Sequence, residues 1–285
     1  FFLACGLFRP HLPWYAPRRF FDLYPLDKVV VPKKFKEDLD DIPEIGKSFA
    51  AARRSDLNKI EKQGSIIRAV QAYLASISYA DEQLGRILDV LESSEYNSNT
   101  VIIFWSDHGW HLGEKRHWHK STLWEESTRI PLIIAVPQLK PDVCNQPVSL
   151  LDLYPTLMEL CAIKGGHEFD GLSLMPQLRL AETKRNPAVI EFRKGNAAVR
   201  SERWRYIRYS DGSEELYDHK TDSFEWKNLA SKKKYKSVKQ NLSEWLPKQW
   251  AESALSKNAF KFDPDSYSWV NKKTGKRYFG SNSDN

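Results

Sequence analysis

Apolar residues recur every three or four positions, or seven where a turn is skipped, through Ile67, Val70, Leu74, Ile77, Leu84, Leu88 and Leu91. This spacing predicts one long helix over Gly64–Ser94 with a single buried stripe. The next run, Val101–Trp105, is too short and too β-rich for a helix and ends in Ser106, Asp107, His108 and Gly109, which predicts a buried strand. A second apolar run, Ile130–Val136, predicts the strand that closes this unit. Leu150, Leu153, Leu157, Leu160 and Cys161 share a helical face within Ser149–Ile163, and Pro155 sits in the first turns, where proline is tolerated.

Shorter runs follow over Ala188–Phe192, Ala197–Arg200, Trp204–Tyr209 and Glu215–Tyr217, with the turn pair Asp211-Gly212 between two of them. Together they predict a small antiparallel sheet. Phe1–Gly6 reads as a strand, Tyr15–Pro25 as a short amphipathic helix ended by proline, and Lys232–Trp250 as partly helical. Gly165–Pro187 reads as a loop-rich crossing. Pro32–Arg54 is polar; its Asp38, Asp40, Asp41 and Glu44 lack the EF-hand pattern and read as a solvated excursion. The stretch from Ala251 onward is polar with scattered aromatics. Trp269, Tyr278 and Phe279, with Lys272, Lys273, Lys276 and Arg277 around Thr274-Gly275, read as a solvated tail or as a hairpin whose edge contacts sugar.

A chain of 285 residues with 41% apolar content buries a large core and sits near the size at which a second domain appears. No apolar run reaches the roughly 18 residues of a membrane span. The formal charge of +6 favours anionic partners. Zinc-finger spacing, RRM-like aromatic motifs and a continuous basic helix are all absent, so nucleic acid is not the expected partner. Cys5, Cys144 and Cys161 show no CxxC spacing and are expected to be buried or inert thiols.

Candidate chemistry concentrates between the two central strands. In open α/β sheets ligands bind beyond the carboxyl ends of the strands, so Asp107 and His108 are expected to face a crevice. The following loop carries Trp110, His111, Glu114, Lys115, Arg116, His117, Trp118, His119 and Lys120. A hard cation suits a strand-end carboxylate, and an anion suits a fixed ammonium and donor imidazoles. Trp110 and Trp118 are either an apolar wall for a ligand or core. Upstream, Pro10 and Pro13 bracket His11 and forbid helix on both sides, which holds the imidazole in one place.

The pattern Ser106-Asp107-His108-Gly109-Trp110-His111-Leu112-Gly113-Glu114, then Trp118-His119-Lys120 and Arg129-Ile130-Pro131-Leu132, resembles the second half of a type I, formylglycine-dependent sulfatase. It is most similar to the iduronate-2-sulfatase-like branch, over Phe1 to about Ala230. The resemblance implies an α/β fold, part of an alkaline-phosphatase-like sandwich with a small carboxyl-terminal α+β subdomain. It divides the chain into the carboxyl-terminal part of a catalytic domain (1–185), an antiparallel-sheet and helix subdomain (186–250) and a polar basic tail (251–285).

The same resemblance implies a sulfuric ester hydrolase acting on sulfated carbohydrate, a sugar or polysaccharide. Asp107 would ligate one Ca2+ with His108 as the adjacent ligand or a sulfate-side contact, Lys120 would bridge the sulfate oxygens, and His11 would contact the sulfate or protonate the leaving oxygen. Trp110, His111, His117 and Trp118 would be substrate contacts, and Arg9 a substrate contact or a structural charge. The nucleophile in such enzymes is a formylglycine made from a C/S-x-P-x-R motif, and no such motif occurs in these residues. The chain is therefore expected to be the carboxyl-terminal part of a longer protein, inactive without its amino-terminal half and exported to the periplasm or secreted. Two other classes remain open: a phosphatase or phosphomutase of the alkaline-phosphatase-like superfamily, and a non-catalytic binder of sulfated polysaccharide.

Overall fold

The computed structural model describes residues 1–165, 168–252 and 257–279. Gly166 of the expected loop crossing, and positions 253–256 and 280–285 of the expected tail, lie outside them. Two compact units are present, Phe1–Pro247 and Lys248–Asn285.

In the first unit, α1 (Arg18–Asp22) is the short helix expected before Pro25, and α2 (Glu44–Ala51) and α3 (Arg54–Lys62) precede the long α4 (Ile66–Glu92). The α4 boundaries lie within two residues of those its apolar period predicts. β1 (Ile102–Trp105) leads into a loop holding β2 (His111–Leu112) and β3 (Trp118–His119), and α5 (Glu125–Thr128) returns the chain to β4 (Leu132–Ala135). β4 pairs with β1 antiparallel, with Trp105 opposite Leu132. The helices α6 (Leu153–Leu160) and α7 (Met175–Arg179) precede the four-stranded antiparallel sheet β5 (Ala188–Glu191), β6 (Ala197–Arg200), β7 (Trp204–Arg208) and β8 (Glu214–Asp218), and α8 (Lys236–Ser243) follows it.

Strand alternation assigns the two faces of this sheet different tasks. Val199, Tyr206 and Leu216 lie in register on one face and pack with Ala230 and Leu242 of the α8 region. Ala198, Ile207 and Tyr217 point the other way, into a core shared with Ile42, Phe49 and Ala50 around α2 and with Leu123 and Trp124 of the central loop. Arg200, Arg205 and Glu215 share that second face by the same register. The sheet and the central loop therefore bury one another.

Several expectations are corrected. Pro32–Arg54 is not a solvated excursion: Asp38, Ile42, Phe49 and Ala50 are buried, because Ile42 and α2 close the apolar face of the sheet. Phe1–Gly6 forms no strand, since it has no ladder partner among the described residues, and Phe1, Phe2 and Leu3 are exposed. β1 is not buried; it pairs with β4 alone, and Trp105 is 47% exposed. The three cysteines are free and exposed rather than buried.

Candidate active site

The turn after β1 is shaped by Gly109. A Cβ there would stand 2.1 Å from the carbonyl oxygen of Glu126 and 3.0 Å from that of Arg129, so only glycine lets the chain pass. The Gly109 N–H donates to Ser127 O at 2.9 Å. This contact joins the turn after β1 to α5 and sets the backbone beside His108.

His108 Nδ1 lies 2.8 Å from Gly109 O, and Lys120 Nζ lies 2.6 Å from His108 Nε2. A carbonyl only accepts, so Nδ1 carries the hydrogen and Nε2 accepts from the ammonium. Asp107 Oδ2 is 3.6 Å from His108 Nε2, and the Asp107 side chain is 82% exposed. Lys120 is thus brought to His108, twelve positions earlier along the chain, with Asp107 beside them.

Lys120 sits between two non-glycine residues in the left-handed region, His119 (φ 97°) and Ser121 (φ 75°). Lys115 and Arg116, at φ 52° and 51°, share that state. Such conformations cost on the order of 1–3 kcal/mol each and persist only where surroundings over-determine them. Here the surroundings are α3, where Glu61 and Asn58 take Arg116 and Asp56 takes His119, and the buried face of the β5–β8 sheet, where Lys115 lies 5.1 Å from the Tyr217 ring.

Lys115 Nζ donates to Asp38 Oδ1 at 2.6 Å and to Glu225 O. Trp124 Nε1 donates to Glu215 Oε2 at 2.7 Å, while the Tyr209 and Tyr217 hydroxyls donate to the same carboxylate at 2.6 Å each. Glu125 takes Arg200 at 3.1 Å and Arg205, and Arg205 pairs with Glu225 at 2.5 Å. Burial pushes the Glu125 carboxyl up, but the two guanidiniums outweigh it and hold it at about 2. Glu126, next in sequence, is buried near Glu114 and Glu225 and is pushed up to about 7.

His111 and His117 belong to this interior. His111 is fully buried, with Nε2 2.9 Å from Thr122 Oγ1, and burial holds it well below the usual imidazole range. His117 places Nε2 3.0 Å from Lys120 O and Nδ1 3.1 Å from Ala50 O, and burial lowers it as well. It ties the Lys120 backbone to the end of α2. Trp110 and Trp118 are buried and pack edge-on against Trp14, with ring centroids 6.0 and 5.9 Å away. The expected substrate contacts at these four residues have no exposed surface behind them; the rings build the floor and supports of the site.

Trp14 carries the upstream loop to that floor. Its Nε1 donates to Pro10 O at 2.8 Å, and Arg9 Nε donates to Tyr15 O at 2.8 Å, so Arg9 closes its own loop. His11 is exposed, with Nδ1 2.7 Å from Leu12 O, which leaves Nε2 free. Among the described residues no hydrogen bond joins His11 to His108 or Lys120.

Asp107 fits a hard cation: its oxygens are exposed and unpaired by hydrogen bonds. His108 fits only when Lys120 leaves Nε2, because one lone pair cannot serve both. Glu125, His219 and Glu225 also bring ligand atoms within 4.8 Å of one another. That cluster is already neutralised: Arg205 and Arg200 lie on its carboxylates, and His219 Nε2 is 2.8 Å from Glu225 Oε1. A buried carboxylate pair balanced by two guanidiniums gains nothing from a metal ion, so this is a structural cluster.

The mixed α/β scaffold that carries Asp107, His108 and Lys120 has the alkaline-phosphatase-like fold. A solved structure described as bound to its substrate, D-glucosamine-2-N,6-O-disulfate, superposes with a TM-score of 0.65 at 19% identity, covering 83% of this chain and 62% of that one. The profile of the family described as Sulfatase matches residues 1–163, and that of "N-sulphoglucosamine sulphohydrolase, C-terminal" matches residues 113–252. The chain belongs to the sulfatase family. It is 41% identical over 256 residues to a "Sulfatase" of Formosa agariphila, covering 87% of this chain and 50% of that protein. A "Choline-sulfatase" of Rhizobium meliloti is 32% identical over 237 residues, covering 80% of this chain and 46% of that protein. The human "Iduronate 2-sulfatase" is 37% identical over 147 residues, covering 48% of this chain and 26% of that protein. The chain spans about half the length of the curated relatives it matches first.

Sequence reasoning missed the supports: Trp14, Trp124, Glu125, Arg205 and Glu215. No local signal marks them, since an arginine or glutamate within an alternating strand reads as a solvent-facing charge.

Proposed function

We propose that the whole protein is a sulfuric ester hydrolase acting on sulfated carbohydrate, of the iduronate-2-sulfatase-like kind, and that it works at the end of β1. The observation that carries this reading is Lys120 Nζ on His108 Nε2 at 2.6 Å beside the exposed Asp107 carboxylate. Sulfate ester hydrolysis must stabilise charge on non-bridging oxygens and on the departing alcohol oxygen. Lys120, released from His108, donates to the former; His11, protonated at its free Nε2, donates to the latter. Asp107, with His108 once Lys120 has shifted, would hold calcium. When present, calcium supplies positive charge against the sulfate oxygens, and a formylglycine carried by chain beyond these 285 residues supplies the nucleophile.

The sugar preference is supported by the sulfated glucosamine in the superposed structure's description and by the name of the iduronate relative. The choline-sulfatase, matched over more of the chain, makes a non-sugar ester the necessary control. Among the described residues no helix is long and apolar enough to cross a membrane. The proposed compartment is the periplasm or the outside of the cell, where sulfated polymers are met.

The test is sulfate release by the complete reading frame from a panel of sulfated sugars, including a 2-sulfated uronate, with choline sulfate and phosphate monoesters as competitors. Lys120→Ala is expected to lower turnover by about 100- to 1000-fold, the scale for one preorganised donor. Preferential hydrolysis of phosphate monoesters assigns a phosphatase instead. Tight binding of sulfated sugar without turnover assigns a binder.

A further inference from the structure

The second unit lies almost wholly beyond the two family matches, which end at residue 252. It contains a three-stranded antiparallel sheet in the order β11 (Arg277–Phe279), β10 (Ser268–Asn271), β9 (Phe260–Asp263). The register places Phe262 opposite Trp269 and Trp269 opposite Tyr278. Directly opposed residues share a face, so the three rings form one row across all three strands. Strand spacing is about 4.8 Å, so the row is about 10 Å long.

The row is not a core. Phe262, Trp269 and Tyr278 are 39%, 52% and 42% exposed. The Phe262 and Trp269 ring centroids are 5.2 Å apart, and the exposed Tyr267 meets Phe262 edge-on at 5.9 Å, extending the surface. Interior polar groups stiffen the sheet instead: Asn271 Oδ1 accepts from the Lys273 and Thr274 N–H groups, and Arg277 pairs with Asp263 and donates to Ser266 and Ser268. A rigid row of half-exposed aromatics is a surface built to be covered.

The charge around it selects the cover. Residues 258–279 hold Lys261, Lys272, Lys273, Lys276 and Arg277 against Asp263 and Asp265. Asp263 is taken by Arg277, and none of the four lysines has an ion-pair partner among the described residues. Lys276 Nζ stands 5.2 Å from the centre of the Tyr278 ring. A second copy of this face would bring the Lys272, Lys273 and Lys276 turn against its own copy, whereas a polyanion neutralises these lysines.

We propose that the Phe262–Trp269–Tyr278 face binds an anionic polysaccharide, sulfated sugar rings stacking their C–H faces on the aromatic row while their sulfates meet Lys272, Lys273 and Lys276. The choice of sulfate over other anions rests on the function proposed above. The aromatic row and its cations stand without it. Such a face keeps the catalytic unit on its polymer between turnovers, raising the effective concentration of ester groups.

The test is affinity electrophoresis of the 285-residue chain through gels containing dextran sulfate, unsulfated dextran or neither, with a single-stranded oligothymidylate competing. Dextran sulfate is expected to retard the chain and unsulfated dextran to do so far less. Trp269→Ala is expected to weaken retardation about tenfold and Trp269→Phe to restore most of it. Lys272→Gln with Lys273→Gln is expected to flatten the salt dependence while leaving the fold intact by circular dichroism. Trp269→Ala binding like the parent overturns the proposal by reducing retardation to general charge. Tighter binding of the oligothymidylate, or a concentration-dependent dimer abolished by Trp269→Ala, overturns it in favour of those occupants. Sulfate release from a small ester by the complete protein is read separately. Lost polymer binding with activity retained rejects this face alone, and retained binding without activity rejects only the catalytic reading.

Discussion

Lys120 and His11 would meet the same sulfate group, yet the two are held in opposite ways. Lys120 rides on a strained loop whose neighbours are locked by buried ion pairs, Lys115 to Asp38 and Glu125 to Arg205, and by the hydrogen bond from Trp124 to Glu215. His11 rides on an exposed loop stiffened by Pro10 and Pro13 and docked by one ring, Trp14, on Trp110 and Trp118. Local stiffness suffices for a short excursion that makes its own hydrogen bonds. A loop with four left-handed residues needs tertiary partners, and α3 and one face of the β5–β8 sheet supply them.

That contrast breaks most severely at Arg205. Arg205→Ala leaves Glu125 and Glu225 buried without their shared cation and is expected to cost on the order of 3–5 kcal/mol in denaturant unfolding. Gly46→Ala comes next. A Cβ there would stand 2.7 Å from Glu215 Oε1 and 2.9 Å from the Tyr209 hydroxyl, and an expected loss of about 1–3 kcal/mol reports the closeness of α2 to the sheet.

The acid limb of stability sharpens the comparison. Glu125 is held at about 2 in the folded chain against 4.5 ordinarily, so its stabilisation is complete above about pH 4.5 and is lost as pH falls toward 2. The scale is on the order of 2–3 kcal/mol. Glu125→Gln is expected to flatten this limb in a pH series of unfolding midpoints. Glu126 has the opposite sign. Raised to about 7, it weakens the fold progressively from pH 4.5 to 7, so Glu126→Gln is expected to raise stability by about 1 kcal/mol at pH 8 and hardly at all at pH 4.5. The smallest effect is at the other loop: His11→Ala is expected to move stability by less than about 0.5 kcal/mol while lowering sulfate release by the complete protein.

Much of this was legible in the chain. The three-to-four spacing from Ile67 to Leu91 marked α4, and short alternating runs with Asp211-Gly212 marked β6, β7 and β8. Asp107, His108 and Lys120 were legible because a short loop between two strands keeps residues near in sequence near in space. For His111, His117, Trp110 and Trp118 that proximity did not say which side of the loop a ring faces; all four are buried, and for Trp110 and Trp118 this favours core over ligand wall, the two readings their sequence left open. Asp38 was misread as solvated, since nothing local shows that Lys115, 77 positions later, returns to neutralise it at 2.6 Å.

The sequence by itself determined α4, the β1 and β4 strands and the β5–β8 sheet, the turn glycine after β1 and the residue types offered at that strand end, because period, turn chemistry and short-range spacing are local properties. Only the tertiary structure decided which charges are buried, which aromatics are exposed, and that the chain after Lys120 is held by a sheet some 80 residues downstream, with Arg205 Nη1 donating to the carbonyl of Leu123, 82 positions earlier. The physical reason is that burial and charge pairing are properties of what two distant surfaces remove from water together. No window along the chain contains both surfaces.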